Sequence, residues 1–133
     1  MRDTAGFSLV EALVAVFILT IVSLSLAQMI GLGMLSDKSS TDLTSATALS
    51  ADKIEELRGS DYASLADGGS LDSDSSGYFD TTDVDSDGAV DFTRRWRITG
   101  QTGGKTLEVK VIAMVDGLGP VREATLATVV AER

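Results

Sequence analysis

The chain has 133 residues, a formal charge of −9, and neither cysteine nor histidine. Without cysteine there is no disulfide and no thiolate chemistry, and without histidine the commonest general base and transition-metal ligand is missing. Phosphate contacts need clustered Lys and Arg, so this charge balance does not favour nucleic-acid binding. We therefore expect one small domain that is not an enzyme.

A long uncharged stretch dominates the N-terminal part of the chain. Residues 12–36 carry no charge, and as a helix they would extend about 37 Å, more than the ~30 Å hydrocarbon core of a bilayer requires. Arg2 and the amino terminus are the only positive charges before this stretch, and an acidic region follows it. The positive-inside bias therefore predicts a single-pass protein with its leader in the cytoplasm and its domain across the membrane.

The residues that precede the apolar stretch differ from those of a secretory signal peptide. In a signal peptide a small-residue cleavage site follows the apolar region. Here Gly6 precedes it, so cleavage after a leader of residues 1–6 would keep the apolar segment. One carboxylate, Glu11, lies at the head of that segment, where its charge is costly unless it is paired.

The run Gly6-Phe7-Ser8-Leu9-Val10-Glu11, followed by an apolar segment, resembles the processing site of type IV pilins and pseudopilins. The resemblance implies that a prepilin peptidase of the inner membrane cuts between Gly6 and Phe7 and that the new amino terminus of Phe7 is methylated. It also nominates that amino terminus, on the same or a neighbouring subunit, as the partner of Glu11 during assembly. A plain signal anchor is the alternative.

The pattern changes in the second half of the predicted helix, residues 36–58. Apolar or small residues recur there at spacings of three and four, which predicts one buried stripe, with charged residues such as Lys53 on the other faces. The stripe consists of Leu43, Ala46, Ser50, Ile54 and Leu57. Gly59 is expected to end the helix.

Residues 59–91 are rich in Gly, Ser, Asp and Thr and predict a long loop with little regular structure. Its end, residues 83–91, places carboxylates at alternate positions with a glycine at the sixth, as in the first part of a calcium loop. The predicted Ca²⁺ ligands are Asp83, Asp85, Asp87, Asp91 and the carbonyl of Ala89. Arg94 stands where a full EF-hand has its bidentate glutamate, and a solvated acidic turn is the alternative.

Three strand-like runs, separated by glycine-rich turns, fill residues 92–131 and predict an antiparallel meander. Phe92, Trp96 and Ile98 share one face of the first run and are predicted core residues. The only dense basic cluster, Arg94, Arg95 and Arg97, is expected to be solvated or to pair with Glu108 and Glu123. Contact with an acidic neighbouring subunit is the other possibility.

The order of helix, loop and meander also resembles the pilin fold, an α+β fold with a long N-terminal helix on a small three-stranded sheet. The expected organisation is a leader at 1–6, a transmembrane and assembly half at 7–35, and an extracytoplasmic domain at 36–133. In residues 46–58, in the acidic loop and in residues 92–96 the chain resembles the minor pilins called PilV-like pilus-modification proteins and the minor pseudopilins of type II secretion.

The resemblance implies a minor type IV pilin that is incorporated into a pilus or primes it. Its expected partners are other pilin subunits, through the N-terminal helix, and prepilin peptidase. The precursor would lie in the inner membrane with its domain in the periplasm, and the mature chain in an extracellular pilus or a periplasmic pseudopilus. The alternatives are a minor type II pseudopilin and, in another class, a membrane-tethered calcium-binding adhesive domain.

Overall fold

The structure, a computed structural model, describes residues 8–114 and 122–132. The chain divides into two compact units, Met1–Lys38 and Ser39–Arg133. One α-helix, α1, spans Leu9–Gly59. It begins with a hydrogen bond of 3.0 Å from the Ala12 N–H to the Ser8 carbonyl, and it ends at the predicted glycine.

The second unit contains an antiparallel sheet of five strands. A 3₁₀ helix at Tyr62–Ser64 comes before the sheet. The strands are β1 Gly68–Gly69, β2 Phe79–Thr82, β3 Phe92–Gln101, β4 Gly104–Ala113 and β5 Glu123–Ala131. β3, β4 and β5 form the predicted meander, while β1 and β2 both pair with β3. The predicted α+β layout, a long apolar helix with an antiparallel sheet, is confirmed.

The prediction of three strands and an irregular 59–91 loop was wrong, because this segment supplies β1 and β2. The two residues of β1 show no alternation of apolar and polar side chains, so the sequence does not indicate a strand there. Its glycines have φ of +152° and +87°, and a side chain at Gly69 would collide with the Trp96 carbonyl oxygen. β2 is only four residues long. Both pairings depend on the distant β3, which local sequence patterns do not show.

The core lies between the second half of α1 and the inner face of the sheet. On β3, Trp96 and Ile98 are buried, and in register with them Val109 and Leu107 of β4 have no exposed surface. The helix contributes four residues of the predicted stripe, Ala46, Ser50, Ile54 and Leu57. Leu43 is 42% exposed, so its inclusion in the stripe was wrong.

Lys53 was predicted to lie on a face other than the buried stripe, but it is itself buried. Its ammonium lies 4.1 Å from the centre of the Trp96 ring. It also lies 2.8 Å from a carboxylate oxygen of Glu56 and 3.3 Å from one of Asp80. Lysine is almost never fully buried unless its charge is paired, because pairing offsets the free-energy cost of removing that charge from water. Because Asp80 also accepts two hydrogen bonds from Arg94, at 2.6 and 2.8 Å, the cluster joins α1, β2 and β3.

Candidate functional site

The first unit presents a long apolar surface. Every residue of α1 from Leu9 to Lys38 is exposed, and the helix is long and apolar enough to cross a membrane. A fully apolar helical surface is stable where lipid or other apolar helices cover it. This segment is therefore suited to membrane anchoring and to packing against other helices.

Three hydroxyl groups in this segment are satisfied within the helix itself. Thr20, Ser23 and Ser25 each donate a hydrogen bond to the carbonyl four residues earlier, at 2.8 to 2.9 Å. An unsatisfied polar group in hydrocarbon costs several kcal/mol, so this arrangement lowers the cost of placing three hydroxyls in a bilayer. These three hydroxyls are thus compatible with an apolar environment.

Glu11 lies in the first turn of α1, among exposed apolar neighbours such as Leu9, Val10 and Leu13. A carboxylate in the first turn interacts favourably with the positive end of the helix dipole. Gly6 and Phe7, the predicted processing residues, lie outside the described residues. The pairing of Glu11 with the amino terminus of Phe7 therefore stays a prediction.

Two glycines interrupt the apolar surface of this helix. α1 continues through Gly31 and Gly33, and a side chain added at either position would meet no atom within 4 Å in the described structure. Within a single chain these glycines are therefore not required for close packing. A side chain there would project onto the surface available to other helices.

The acidic loop of residues 83–91 brings three of its four predicted carboxylates together. Oxygen atoms of Asp83, Asp85 and Asp91 lie within 4.8 Å of one another. Asp87 is outside this group, and its carboxylate accepts a hydrogen bond of 2.7 Å from the Ala89 N–H. Hard cations such as Ca²⁺ prefer carboxylate and carbonyl oxygens in this kind of cluster.

Backbone N–H groups also organise the loop. Asp83 accepts hydrogen bonds from Ser86 at 2.6 Å and Gly88 at 2.9 Å. Asp91 accepts one of 2.7 Å from Val84. Ser86 and Gly88 have positive φ, 61° and 91°, which turns the chain sharply around the carboxylates. Such bonds partly offset the repulsion among the acids, so Ca²⁺ binding stays a prediction and the solvated turn remains its alternative.

The basic cluster of β3 is paired within the chain. Arg94 pairs with Asp80 and Arg95 with Asp74. The predicted pairing with Glu108 is confirmed for Arg97, at 2.7 Å. Each acidic partner restrains the guanidinium of its arginine. From the sequence alone, these guanidinium groups could instead have contacted a neighbouring subunit.

The other predicted acidic partner, Glu123, binds elsewhere. It pairs with Lys110 at 3.0 Å and with no arginine among the described residues, so that part of the prediction was wrong. The hydrogen bond from Lys110 to Glu123 raises the pKa of the lysine, and Asp72 adds to this. The hydrogen bond with Asp80 likewise raises the pKa of Arg94.

Comparison with known proteins identifies the N-terminal segment. Residues 1–27 match the family described as the prokaryotic N-terminal methylation motif, the processing signal of type IV pilins and pseudopilins. Neither a curated protein nor a solved structure gives a significant match. The matched residues include the predicted cleavage position, Glu11 and more than half of the apolar stretch.

Proposed function

We propose, from the methylation motif that marks this chain as a prepilin-processed protein of the type IV pilin and pseudopilin class, that it is a minor type IV pilin. In this proposal the precursor lies in the inner membrane with its domain in the periplasm. Prepilin peptidase removes residues 1–6 and methylates Phe7. The mature chain then joins or primes a pilus through α1, without any catalytic role of its own.

The single observation that carries the proposal is the position of the motif directly before an exposed apolar helix. Cleavage after Gly6 leaves the whole apolar surface of Leu9–Leu35 on the mature chain. That surface can move from lipid to an apolar helix bundle without exposure to water, since both environments are apolar. The polar second unit stays outside the bundle.

Charge directs the assembly step in this proposal. Glu11 in an apolar environment is costly alone, and the positive amino terminus created at Phe7 lies four residues before it. When both groups are desolvated in a filament, their attraction is stronger than in water. A subunit whose charge is paired in this way is therefore favoured inside the filament over the membrane.

A minor subunit is favoured over a major one because α1 contains no proline at the depth where many major pilins have one. Gln28 occupies that place, and α1 runs unbroken from Leu9 to Gly59. A minor pseudopilin of type II secretion shares the same methylation motif and is the second candidate. A membrane-tethered calcium-binding adhesive domain is the third, for which the carboxylate cluster of Asp83, Asp85 and Asp91 is the supporting observation.

Intact-mass analysis of the full chain extracted from membranes tests the processing step. We expect a mature chain that begins at Phe7 and carries one additional methyl group. Gly6→Val should block cleavage because the larger side chain obstructs the peptidase. Gly31→Val is the matched control and should be processed normally, since it makes the same change inside the apolar helix. A mature start beyond Leu26 would overturn the proposal.

Localisation separates the pilin from the alternatives. A minor pilin should co-purify with filaments sheared from the cell surface, in low amount relative to the major subunit. A pseudopilin should stay with the cell envelope, and loss of the gene should then stop secretion instead of piliation. An adhesive domain that never polymerises should be absent from both filament types even when it is correctly processed.

A further inference from the structure

Strand β5 is an exposed edge without the usual protection. It is nine residues long, and among the described residues it pairs only with β4. Residues 124–131 carry no charge and no proline. Proteins usually protect a free edge with lysine, proline, a bulge or a very short strand, because an open edge templates pairing with another chain. An edge of this length without such features is suited to pair with a further strand.

The hydrogen bonds at the two ends of β5 show which backbone groups face outward. The Ala113 N–H donates to the Arg122 carbonyl at 2.8 Å, and the Glu132 N–H donates to the Gly103 carbonyl at 3.4 Å. Residues of an antiparallel pair alternate between those that bond to the partner strand and those that do not. The even-numbered residues of β5 therefore bond to β4, and the odd-numbered residues direct their N–H and C=O groups away from it.

β5 is complementary to a second copy of itself. It spans Glu123–Ala131, so two copies that pair antiparallel over their full length are centred on Ala127. Odd-numbered residues then lie opposite odd-numbered residues, for example Thr125 opposite Val129. The outward N–H and C=O groups of one copy therefore meet those of the other and form the hydrogen-bonded pairs of an antiparallel sheet. A shift by one residue would place outward groups opposite inward ones and break this pattern.

The side chains on the inner face fit this register. Ala124 lies opposite Val130, so a small side chain meets a larger one, and Leu126 lies opposite Thr128. In the single chain Leu126 and Val130 pack against the core but are only partly buried. A second copy would cover more of this apolar surface, since directly opposite side chains on one face of a sheet are in contact.

The charged residues at the ends of the strand also favour this register. Arg122 of one copy lies opposite Glu132 of the other, and both are even-numbered, so their side chains lie on the same face. Arg122 is 9% exposed and pairs with Asp42, but its buried Nε has no hydrogen-bond partner among the described residues. Opposite charges across a strand pair stabilise it, and Glu123 lies opposite an uncharged alanine. A shift by two residues would separate Arg122 from Glu132.

We propose that the free edge of β5 binds β5 of a second copy of this chain, in an antiparallel pair centred on Ala127. The two sheets join into one continuous sheet with a two-fold axis perpendicular to it. This surface is separate from the apolar part of α1, and the pairing does not depend on the processing of the N-terminus.

The symmetry of the pair determines the relative direction of the two copies. A two-fold axis perpendicular to the sheet reverses every direction in the plane of the sheet. It therefore also reverses the direction of the second half of α1, which packs on the sheet. Copies anchored by α1 in one membrane would all have the same orientation. The pair therefore forms between copies on two facing surfaces, or between copies that are free to reorient in detergent.

Cysteine cross-linking of the full chain in detergent micelles tests the pairing and its register. The chain has no cysteine, so one engineered cysteine is the only site of disulfide formation. Opposite Cα atoms of a hydrogen-bonded antiparallel pair are about 5.5 Å apart, which is within the range of a disulfide. Ala127→Cys should therefore form a disulfide-linked dimer on mild oxidation at physiological ionic strength, where repulsion between the two acidic chains is largely screened.

Two other outward-facing positions provide the matched controls. Thr125→Cys alone and Val129→Cys alone should form no disulfide-linked dimer, because the two copies of each cysteine lie four residues apart along the strands, about 13 Å. An equal mixture of the two variants should form a mixed dimer, since Thr125 lies opposite Val129. Intact-mass analysis identifies the mixed dimer.

Amide hydrogen exchange measures the pairing without a cross-link. As protein concentration rises, the amides of Ala127 and Val129 should become protected, while Leu126 and Thr128, which bond to β4, should be protected at every concentration. Ala127→Pro removes an outward N–H, a change that an edge strand tolerates, and should abolish the added protection of Val129. Ala127→Ser keeps the N–H and should preserve it. If Ala127→Pro also loses protection at Leu126, Ala127→Lys replaces it, since a charge at the edge blocks strand pairing without removing a hydrogen bond.

Three outcomes would overturn the proposal. Equal yields of disulfide dimer from Ala127→Cys and Thr125→Cys would show random collision or association through α1. No dimer from Ala127→Cys, with exchange at Ala127 independent of protein concentration, would show that a second copy does not bind this edge. Added protection of Val129 that persists in both Ala127→Pro and Ala127→Lys would place the contact elsewhere.

Discussion

Removal of the Asp80 carboxylate should destabilise the second unit more than removal of any other single paired acid on the sheet. Asp80 accepts two hydrogen bonds from Arg94 and lies 3.3 Å from the ammonium of Lys53. The side chains of Lys53 and Arg94 are only 7% and 18% exposed. Asp80→Ala therefore leaves two poorly solvated cations close together, with Glu56 as the remaining partner of Lys53.

The expected loss in the free energy of unfolding follows from how deeply these charged groups are buried. Removal of one partner of a fully buried ion pair costs about 3–5 kcal/mol. Asp80 is 32% exposed and Lys53 keeps Glu56, so water and the second carboxylate compensate part of the loss. We expect the free energy of unfolding to fall by about 2 kcal/mol. For a domain of this size such a change lowers Tm by roughly 8–16 °C.

Urea unfolding of the full chain in detergent micelles measures this effect. Trp96, the only tryptophan, lies against Lys53 and reports on the cluster by its fluorescence. Asp74→Ala is the matched control, because Asp74 also pairs with an arginine but is 51% exposed. We expect it to cost less than about 1 kcal/mol. Equal losses in the two variants would refute the argument from burial.

A double-mutant cycle tests whether Lys53 and Asp80 interact directly. Lys53→Met keeps the length of the side chain and removes its charge. The cost of Asp80→Ala should be smaller in the Lys53→Met background, with a coupling energy of about 1 kcal/mol. Strict additivity would show that the two groups are neighbours without a significant interaction.

Three other changes test the remaining parts of the chain. Glu11→Ala should leave insertion and cleavage intact but reduce incorporation into sheared filaments, since an unpaired carboxylate there costs about 2–3 kcal/mol; unchanged incorporation on immunoblots would contradict a pairing role. Tm should be higher in added Ca²⁺ than in excess chelator. Asp85→Ala should abolish this rise in Tm, and Asp72→Ala should preserve it. An equal rise in both variants would indicate a solvated turn. Leu107 is fully buried, so Leu107→Ala should lower the free energy of unfolding in urea by about 3 kcal/mol. Leu43 is 42% exposed, so Leu43→Ala should lower it by less than about 0.5 kcal/mol. Similar losses in the two variants would contradict the assigned core.

The sequence predicted those parts of the fold that depend on local pattern. The uncharged stretch indicated the long helix, and the shared face of Phe92, Trp96 and Ile98 on β3 identified three residues that are buried in the core. Gly103, with φ of +84°, lies in the turn that was predicted between β3 and β4. In each case the periodicity of neighbouring residues determines which side is buried.

Features that depend on distant residues were not predictable in the same way. Lys53 has the sequence context of a solvated residue and becomes buried only because Asp80 and Trp96 arrive from strands far along the chain. β1 depends on the ability of Gly69 to approach the backbone of β3 closely. At the N-terminus, by contrast, a short local motif sufficed, because the methylation motif is defined by consecutive residues within 1–27 and not by a folded surface.

The internal hydrogen bonds of Thr20, Ser23 and Ser25 have a consequence for how α1 meets other helices. Each hydroxyl has one proton, and each already donates it to its own helix. These side chains therefore have no donor left to fix the rotation or the vertical register of a neighbouring helix. Sliding of a neighbouring helix past these three side chains would therefore break no hydrogen bond that they donate. In the proposed filament, the Glu11 carboxylate would then contribute more than these hydroxyls to the axial position of the subunit.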